Sequence, residues 1–172
     1  MSIGTAVAGG VLQLVSGNTQ EAMLLDSDGA VTMPNQPAFL VDKNADQTLT
    51  SGSEIQVTWQ DEVFDVGGNF ASNTFTAPVD GKYFLQGQAR FDSFDTASSY
   101  YRISIVTSIR EKHEILDPHF TSDLSYITMS VSGIFDMDAG DTAVVKIRQN
   151  SGTASHIEDS NAYTNFCGHL LG

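Results

Sequence analysis

Residues 59–84 read WQDEVFDVGGNFASNTFTAPVDGKYF and carry six aromatic rings, three glycines and one proline. Gly67-Gly68 permits a turn with positive φ between Val66 and Phe70, and Pro78 with Gly81 shapes the next one. Beyond them, Tyr83, Leu85, Gly87, Ala89 and Phe91 fall on one face of a strand over 81–91, with small residues in its middle. Those small residues leave room for rings from a facing sheet or a neighbouring chain. The rings and glycines of this stretch therefore read as architecture, not as a reactive site.

Period-two alternation continues to the end of the chain, and no stretch of twelve or more residues keeps apolar positions at helical spacing. Strands are expected over 81–91, 100–110, 126–135, 142–149 and 165–171. In the third, Ile127, Met129, Val131, Gly133 and Phe135 share one face, and Thr128, Ser130 and Ser132 the other. Turn-rich segments such as DSFDTASS, LDPHFTSD, DMDAGD and QNSGTASHIEDSN separate them. Two sheets enclosing one core follow, so the expected class is an all-β sandwich.

The 172 residues suffice for one well-buried domain plus an extension. Hydrophobic residues make up 41% and charged ones 17%, so Ser, Thr, Asn, Gln and Gly must fill most solvent-facing positions. Twenty-one acidic against eight basic residues give a formal charge of −13, which repels nucleic acid and anionic lipid alike. No apolar run approaches the roughly 18 residues of a membrane span, and the opening MSIGTAVAGG lacks the basic region of a signal peptide. A soluble protein without nucleic-acid partners or membrane insertion is expected. The single cysteine, Cys167, forms no intrachain disulfide and reads as a small buried apolar residue of the last strand.

Residues 1–35 contain no aromatic side chain, and their apolar patches VLQLV, MLL and AVTM are parted by SGNTQ and DSDG. Such a segment buries no core alone. It reads as a β-rich stem that lies against the domain over 36–172 or wraps with its own copies, with Pro34 and Pro37 at the junction.

The spacing of Trp59, Asp65, Phe70, Phe75, Gly81 and Tyr83, ending in TAPVDGKYF, resembles the signature of the C1q-like globular head, a branch of the tumour-necrosis-factor-like jelly rolls. Ala139-Gly140-Asp141 before TAVVKIRQ resembles that family's Gly-Asp turn. The run Thr164-Asn165-Phe166-Cys167-Gly168-His169-Leu170-Leu171 resembles its terminal strand, so the resemblance covers about residues 37–172. The chain departs from the pattern in four places: four residues separate Phe70 from Phe75 where six are usual, Leu85 and His169 stand where Phe is usual, and Gly87 replaces an aromatic. The resemblance implies a homotrimer packed about a threefold axis. It also makes Trp59, Phe70, Phe75, Gly81, Tyr83, Phe166, Gly168 and Leu170 core or trimer positions. Residues 22–39 further resemble the "Leu-x-x-x-Gly-x-Val-x-x-Pro-x-Gln-Pro-Ala-Phe" connector before C1q-like heads in bacteriophage tail fibres. No collagen-like Gly-X-Y repeat is present. A virion tail fibre or appendage is the setting implied, with a non-viral secreted or surface binding protein as the alternative.

No convergent catalytic set is visible: there is no Gly-x-Ser-x-Gly elbow, His-Glu-x-x-His pair, phosphate loop or Cys-x-x-Cys. His113-Glu114 and His156-Ile157-Glu158 lack helical context and a third partner. Asp26-Ser27-Asp28-Gly29 lacks the remaining ligands of a calcium loop and reads as a hairpin turn. In LDPHFTSD, Asp117 and Asp123 are candidate calcium ligands, because some members of the resembled family bind calcium near this loop at the trimer apex. His119 could meet its two copies on a threefold axis and hold a transition metal. Solvated turn residues are the plain alternative, and no cofactor is required.

Recognition is expected in loops, since strands are spent on packing. Segments 91–101 and 151–163 combine rings with Ser, Asn, Asp and His, and Phe94, Asp95, Tyr100, His156, Asn161 and Tyr163 are the candidate receptor contacts. The expected function is adhesion without enzymatic activity: a host-surface receptor, a glycan among the candidates, bound at three copies of one site. A purely structural trimerising or capping module is the other reading.

Overall fold

The structure is a computed structural model that describes residues 2–3, 12–16, 20–150, 155–157 and 162–172, and side chains within 22–150, 157 and 162–172. All regular elements among them are strands. β1 (Ser2–Ile3), β2 (Leu12–Ser16), β3 (Gln20–Leu25) and β4 (Val31–Thr32) make an antiparallel sheet of their own. The turn between β3 and β4 is closed by the Asp26 carboxylate. It accepts the amides of Asp28 and Ala30, both at 2.9 Å, while Gly29 takes φ +82°. Asp26 to Gly29 is thus a hairpin turn, as the sequence suggests.

The remaining strands form two sheets face to face. One contains β7 (Glu54–Gln56), β9 (Phe70–Ala71), β10 (Thr74–Thr76), β12 (Tyr100–Thr107), β13 (Glu111–Leu116) and β15 (Thr142–Asn150), in the order β13-β12-β15-β10-β9 with β7 also beside β15. The other contains β5 (Ala38–Asp42), β6 (Gln47–Leu49), β8 (Asp61–Val66), β11 (Gly81–Phe94), β14 (Leu124–Met137), β16 (Ser155–Ile157) and β17 (Asn165–Leu170). Its order is β6-β16-β11-β17-β5-β8, with β14 on the free flank of β11. The five expected strands are present within a few residues. β13 and β8 lie outside the expected set, because EKHEIL and DEVFDV carry charges on exposed positions of edge strands and so hide the alternation.

The opening stretch explains the core. Trp59, Phe75 and Tyr83 are buried and Phe70 partly so. They converge with Phe39 and Phe166: Phe39 lies 4.6 Å from Phe75, 5.2 Å from Phe70 and 4.9 Å from Phe166, while Trp59 is 6.1 Å from Phe166. Tyr83, fully buried, places its ring 5.5 Å from Phe75 and donates its hydroxyl to the Val79 carbonyl at 2.8 Å. Gly67 and Gly68 take φ +95° and +69°, and the turn they make is closed by the Phe70 amide donating to Asp65 at 2.8 Å. Phe64 and Phe84 are the exceptions among the six rings: both face away from the core.

Gly87 meets Val145 of the facing sheet, whose Cγ2 lies 2.8 Å from where a Cβ would stand. The space left by the small residues of β11 is therefore filled by an aliphatic side chain instead of a ring. Gly81 likewise accommodates Leu170, whose Cδ1 would be 2.6 Å from its Cβ.

Candidate functional site

Three places decide what the molecule can do: the loops at one end, and the two outward sheet faces. The loops do less than their composition suggests. Phe94 belongs to β11, is fully buried and stacks on Tyr101 with ring centroids 3.9 Å apart. Phe91 is buried against the same ring at 5.4 Å. Asp95 is buried too: its amide donates to the Tyr101 hydroxyl at 2.8 Å and its carboxylate accepts the Ala97 amide at 2.7 Å. The expected recognition loop over 91–101 thus reduces to a tight turn over 95–99. The burial that fixes this turn removes Phe94 and Asp95 from the candidate contacts. The sequence could not show this, because a ring ending a strand and a ring opening a loop look alike.

Tyr100 remains partly exposed at the start of β12, with the Arg148 guanidinium 5.9 Å from its ring. Tyr163 is 44% exposed and flanks Arg90, whose guanidinium sits 4.4 Å from its ring and 4.2 Å from that of Tyr126. Asn161 lies outside the described residues. Of His156 only the backbone is described, paired with Asp92 and Thr48.

The candidate metal ligands are not gathered within one chain. Asp117 and His119 are exposed neighbours, Oδ1 to Nδ1 3.2 Å. Asp123 is engaged elsewhere: its Oδ1 accepts the Thr96 amide at 2.9 Å and the Thr96 hydroxyl at 2.6 Å, tying two loops together. Among the described residues no three His, Cys, Asp or Glu side chains converge on one point.

On the outward face of the β12–β15 sheet, His113 has the partners the sequence did not reveal. Its Nδ1 is 2.8 Å from the Ser104 hydroxyl and its Nε2 is 3.3 Å from Glu111. The order Ser-His-Glu has the connectivity of an activated nucleophile. Yet Ser104 is fully buried, so its oxygen cannot meet a carbonyl carbon, and the chain of bonds joins β12 to β13 instead.

The outward face of the other sheet is of a different character. Cross-strand pairing sets Phe64, Leu40, Cys167, Gln86 and Ser132 in one row, and Val66, Ala38, His169, Phe84 and Ile134 in the next. Ile134 is 59% exposed, Tyr126 54% and Phe64 46%. The ion pair on these rows' margin, Lys82 with Asp136 at 3.6 Å, is solvent-exposed. Cys167 belongs to this face, half-buried, and not to the core as expected, because alternation in β17 sends Phe166 and Gly168 inward. Burial, and secondarily the charge of Asp42, pushes its thiol pKa up.

The segment between β4 and β5, where Pro34 and Pro37 mark the expected junction, is pinned to the last strand. The Gln36 side-chain amide donates to the Leu170 carbonyl, the Leu170 amide donates to the Pro37 carbonyl at 2.9 Å, and Pro37 is buried. Beside it, Met33, Pro37, Val66, Pro78, Val79 and Leu171 line an open, mainly apolar hollow of about 590 Å³.

With the fold described, comparison places it. No family model matches the chain, and no curated protein sequence matches it. Among solved structures, the globular domain of zebrafish complement 1qA superposes with a TM-score of 0.56 at 17% identity, over 80% of this chain and 98% of that one. Murine APRIL at pH 8.5 gives 0.57 at 16% identity, over 79% and 99%. The chain therefore has the jelly-roll β-sandwich fold of the C1q and TNF-like proteins.

Proposed function

We propose that the chain is a homotrimeric binding head, presented on a β-rich stem as the tip of a bacteriophage tail fibre or related virion appendage, and that it attaches to a host-surface receptor without chemical turnover. The observation that carries the trimer is the outward face of the β11-containing sheet. The adjacent rows that carry Phe64, Leu40, Phe84 and Ile134, interleaved with Ser and Gln, have the composition of a covered interface rather than of a solvated sheet. The viral setting is supported by the connector-like run over residues 22–39, whose Gln36 and Pro37 fasten the stem to the head. Three identical sites on one rigid body let weak single contacts act together.

Sedimentation of the purified protein is expected to give three times 18.5 kDa. The double variant Phe64→Arg/Ile134→Arg is expected to sediment as a folded monomer with an unchanged far-ultraviolet spectrum. A wild-type monomer would remove the trimer from the proposal. Labelled trimer is expected to adsorb to bacterial cells of the host strain. Trimer that adsorbs to no such surface favours the second reading, a structural trimerising module.

A further inference from the structure

We propose that the outward face of the β12–β15 sheet binds an anionic saccharide, carboxylated or sulfated, through Arg102, Arg148 and Lys146, with Tyr100 as a stacking surface. The inference deepens the receptor-binding reading above and rests on it.

The chain has eight Lys and Arg against 21 Asp and Glu, yet three of those eight emerge from two adjacent strands on one face. Arg102 and Arg148 stand directly opposite each other in the ladder, and Lys146, opposite Ser104, is two pairs further along and so next on the same face. Like charges directly opposite on a sheet are unfavourable, so this arrangement costs stability unless an anion offsets it. Glu54 offsets part. It bridges Arg102 and Lys146, the latter at 3.6 Å. Among the described residues Glu54 is the one carboxylate in contact with these cations, since Glu111, further along the same face, is paired with His113.

Arg148 is the least satisfied. Its guanidinium reaches the Asn150 side-chain oxygen at 3.5 Å and the Tyr100 ring at 5.9 Å. The Nε atoms of both Arg148 and Arg102 are buried without a hydrogen-bond partner among the described residues. Two planar guanidiniums side by side, with donors in hand, fit the paired oxygens of a carboxylate or sulfate. Tyr100 and Asn150 form the next pair on the same face, which sets an aromatic face and an amide beside the cations. Ring stacking with hydrogen bonding to hydroxyls is how proteins hold sugars, and the cations add the preference for an acidic one. The face lies on the sheet that the proposed trimer leaves outside, so each assembly would present it three times.

The test is equilibrium binding of the full-length protein to polygalacturonate, dextran sulfate and unmodified dextran, with a single-stranded oligonucleotide as a further arm. Binding to the two anionic polymers, weakened by added salt, and none to dextran are expected. Arg102→Gln/Arg148→Gln is expected to weaken polygalacturonate or dextran-sulfate binding at least about tenfold, and Arg110→Gln, in the neighbouring hairpin, to leave it unchanged. Sedimentation and melting of each variant check the fold. Should the double variant unfold, Arg148→Gln alone, which leaves the Glu54 bridges intact, is expected to show the loss. Equal binding by wild-type and variant, no wild-type binding to either anionic polymer, or equally tight binding to the oligonucleotide overturns the assignment. Cell adsorption that persists in those cases leaves the receptor-binding head standing and only this site wrong.

Discussion

A Cβ at Gly168 would stand 2.5 Å from Leu85 Cδ2, 2.8 Å from Phe39 Cε1 and 3.0 Å from the Phe84 carbonyl oxygen. Side chains could shift; the backbone oxygen of the central strand cannot move without breaking its ladder. Gly168→Ala is therefore expected to destabilise the fold by about 1–3 kcal/mol, read from denaturation midpoints. Phe94 belongs to the same class of residue. Its truncation to Ala leaves a cavity against Tyr101, and a loss of about 3–5 kcal/mol is expected in thermal or chemical unfolding. A Phe94→Ala variant that keeps full stability and loses only binding would return this ring to the recognition surface. Cys167, one position before Gly168, faces the other way. Its raised thiol pKa means that alkylation by iodoacetamide at neutral pH should run slower than that of a free thiol, and a faster rate would contradict the burial seen here.

At the level of elements, two turns show how side chains and not backbone alone hold this sandwich. Asp123 accepts both the amide and the hydroxyl of Thr96, so the turn over 95–99 is anchored to the segment before β14. Asp123→Ala should raise hydrogen exchange at the Thr96 amide while costing only about 1 kcal/mol overall, because the site is exposed. Unchanged exchange would show that the buried Asp95 and Tyr101 pair holds the turn unaided. The edge strands β8 and β13 carry their charges outward, which protects open edges from pairing with other chains.

For the whole molecule, charge dominates. Each chain carries −13, so the proposed trimer would bring −39 together and should dissociate more readily as ionic strength is lowered, as measured by sedimentation. Acid acts through particular carboxylates. Asp141 is held below its ordinary pKa chiefly by the Ser108 hydroxyl at 2.5 Å and secondly by the Asp138 amide at 2.9 Å. A depressed folded-state pKa means that its contribution is present above the unfolded value, about 4, and is lost as pH falls through the lower folded value. Asp42 acts in the opposite sense: burial first, and Asp61 second, raise its pKa, so its contribution is present at low pH and lost as pH rises through the raised value. Asp141→Asn is therefore expected to flatten the fall in melting temperature on acidification. An equally steep fall would assign acid sensitivity to other groups.

How far the sequence alone reached follows from what kind of information each feature needs. Period-two alternation in segments such as GKYFLQGQARF and YITMSVSGIF, with glycines at the turns, determined the all-β class, most strand positions and the inward-facing rings, because those depend on spacing along the chain. Phe166 and Gly168 were legible as core positions through the resemblance to the family's terminal strand, while the residues alone left Cys167 on the wrong face. Which rings lie at a strand end and which at a loop tip was not, since it is the stacking of Phe94 on Tyr101, a contact across the turn, that makes Phe94 a core residue. The Arg102, Arg148 and Glu54 cluster joins strands 46 and more residues apart, and the Ser104 to His113 bond depends on cross-strand register. Such contacts are set by how strands pair and which face they turn outward, and only the tertiary structure decides that.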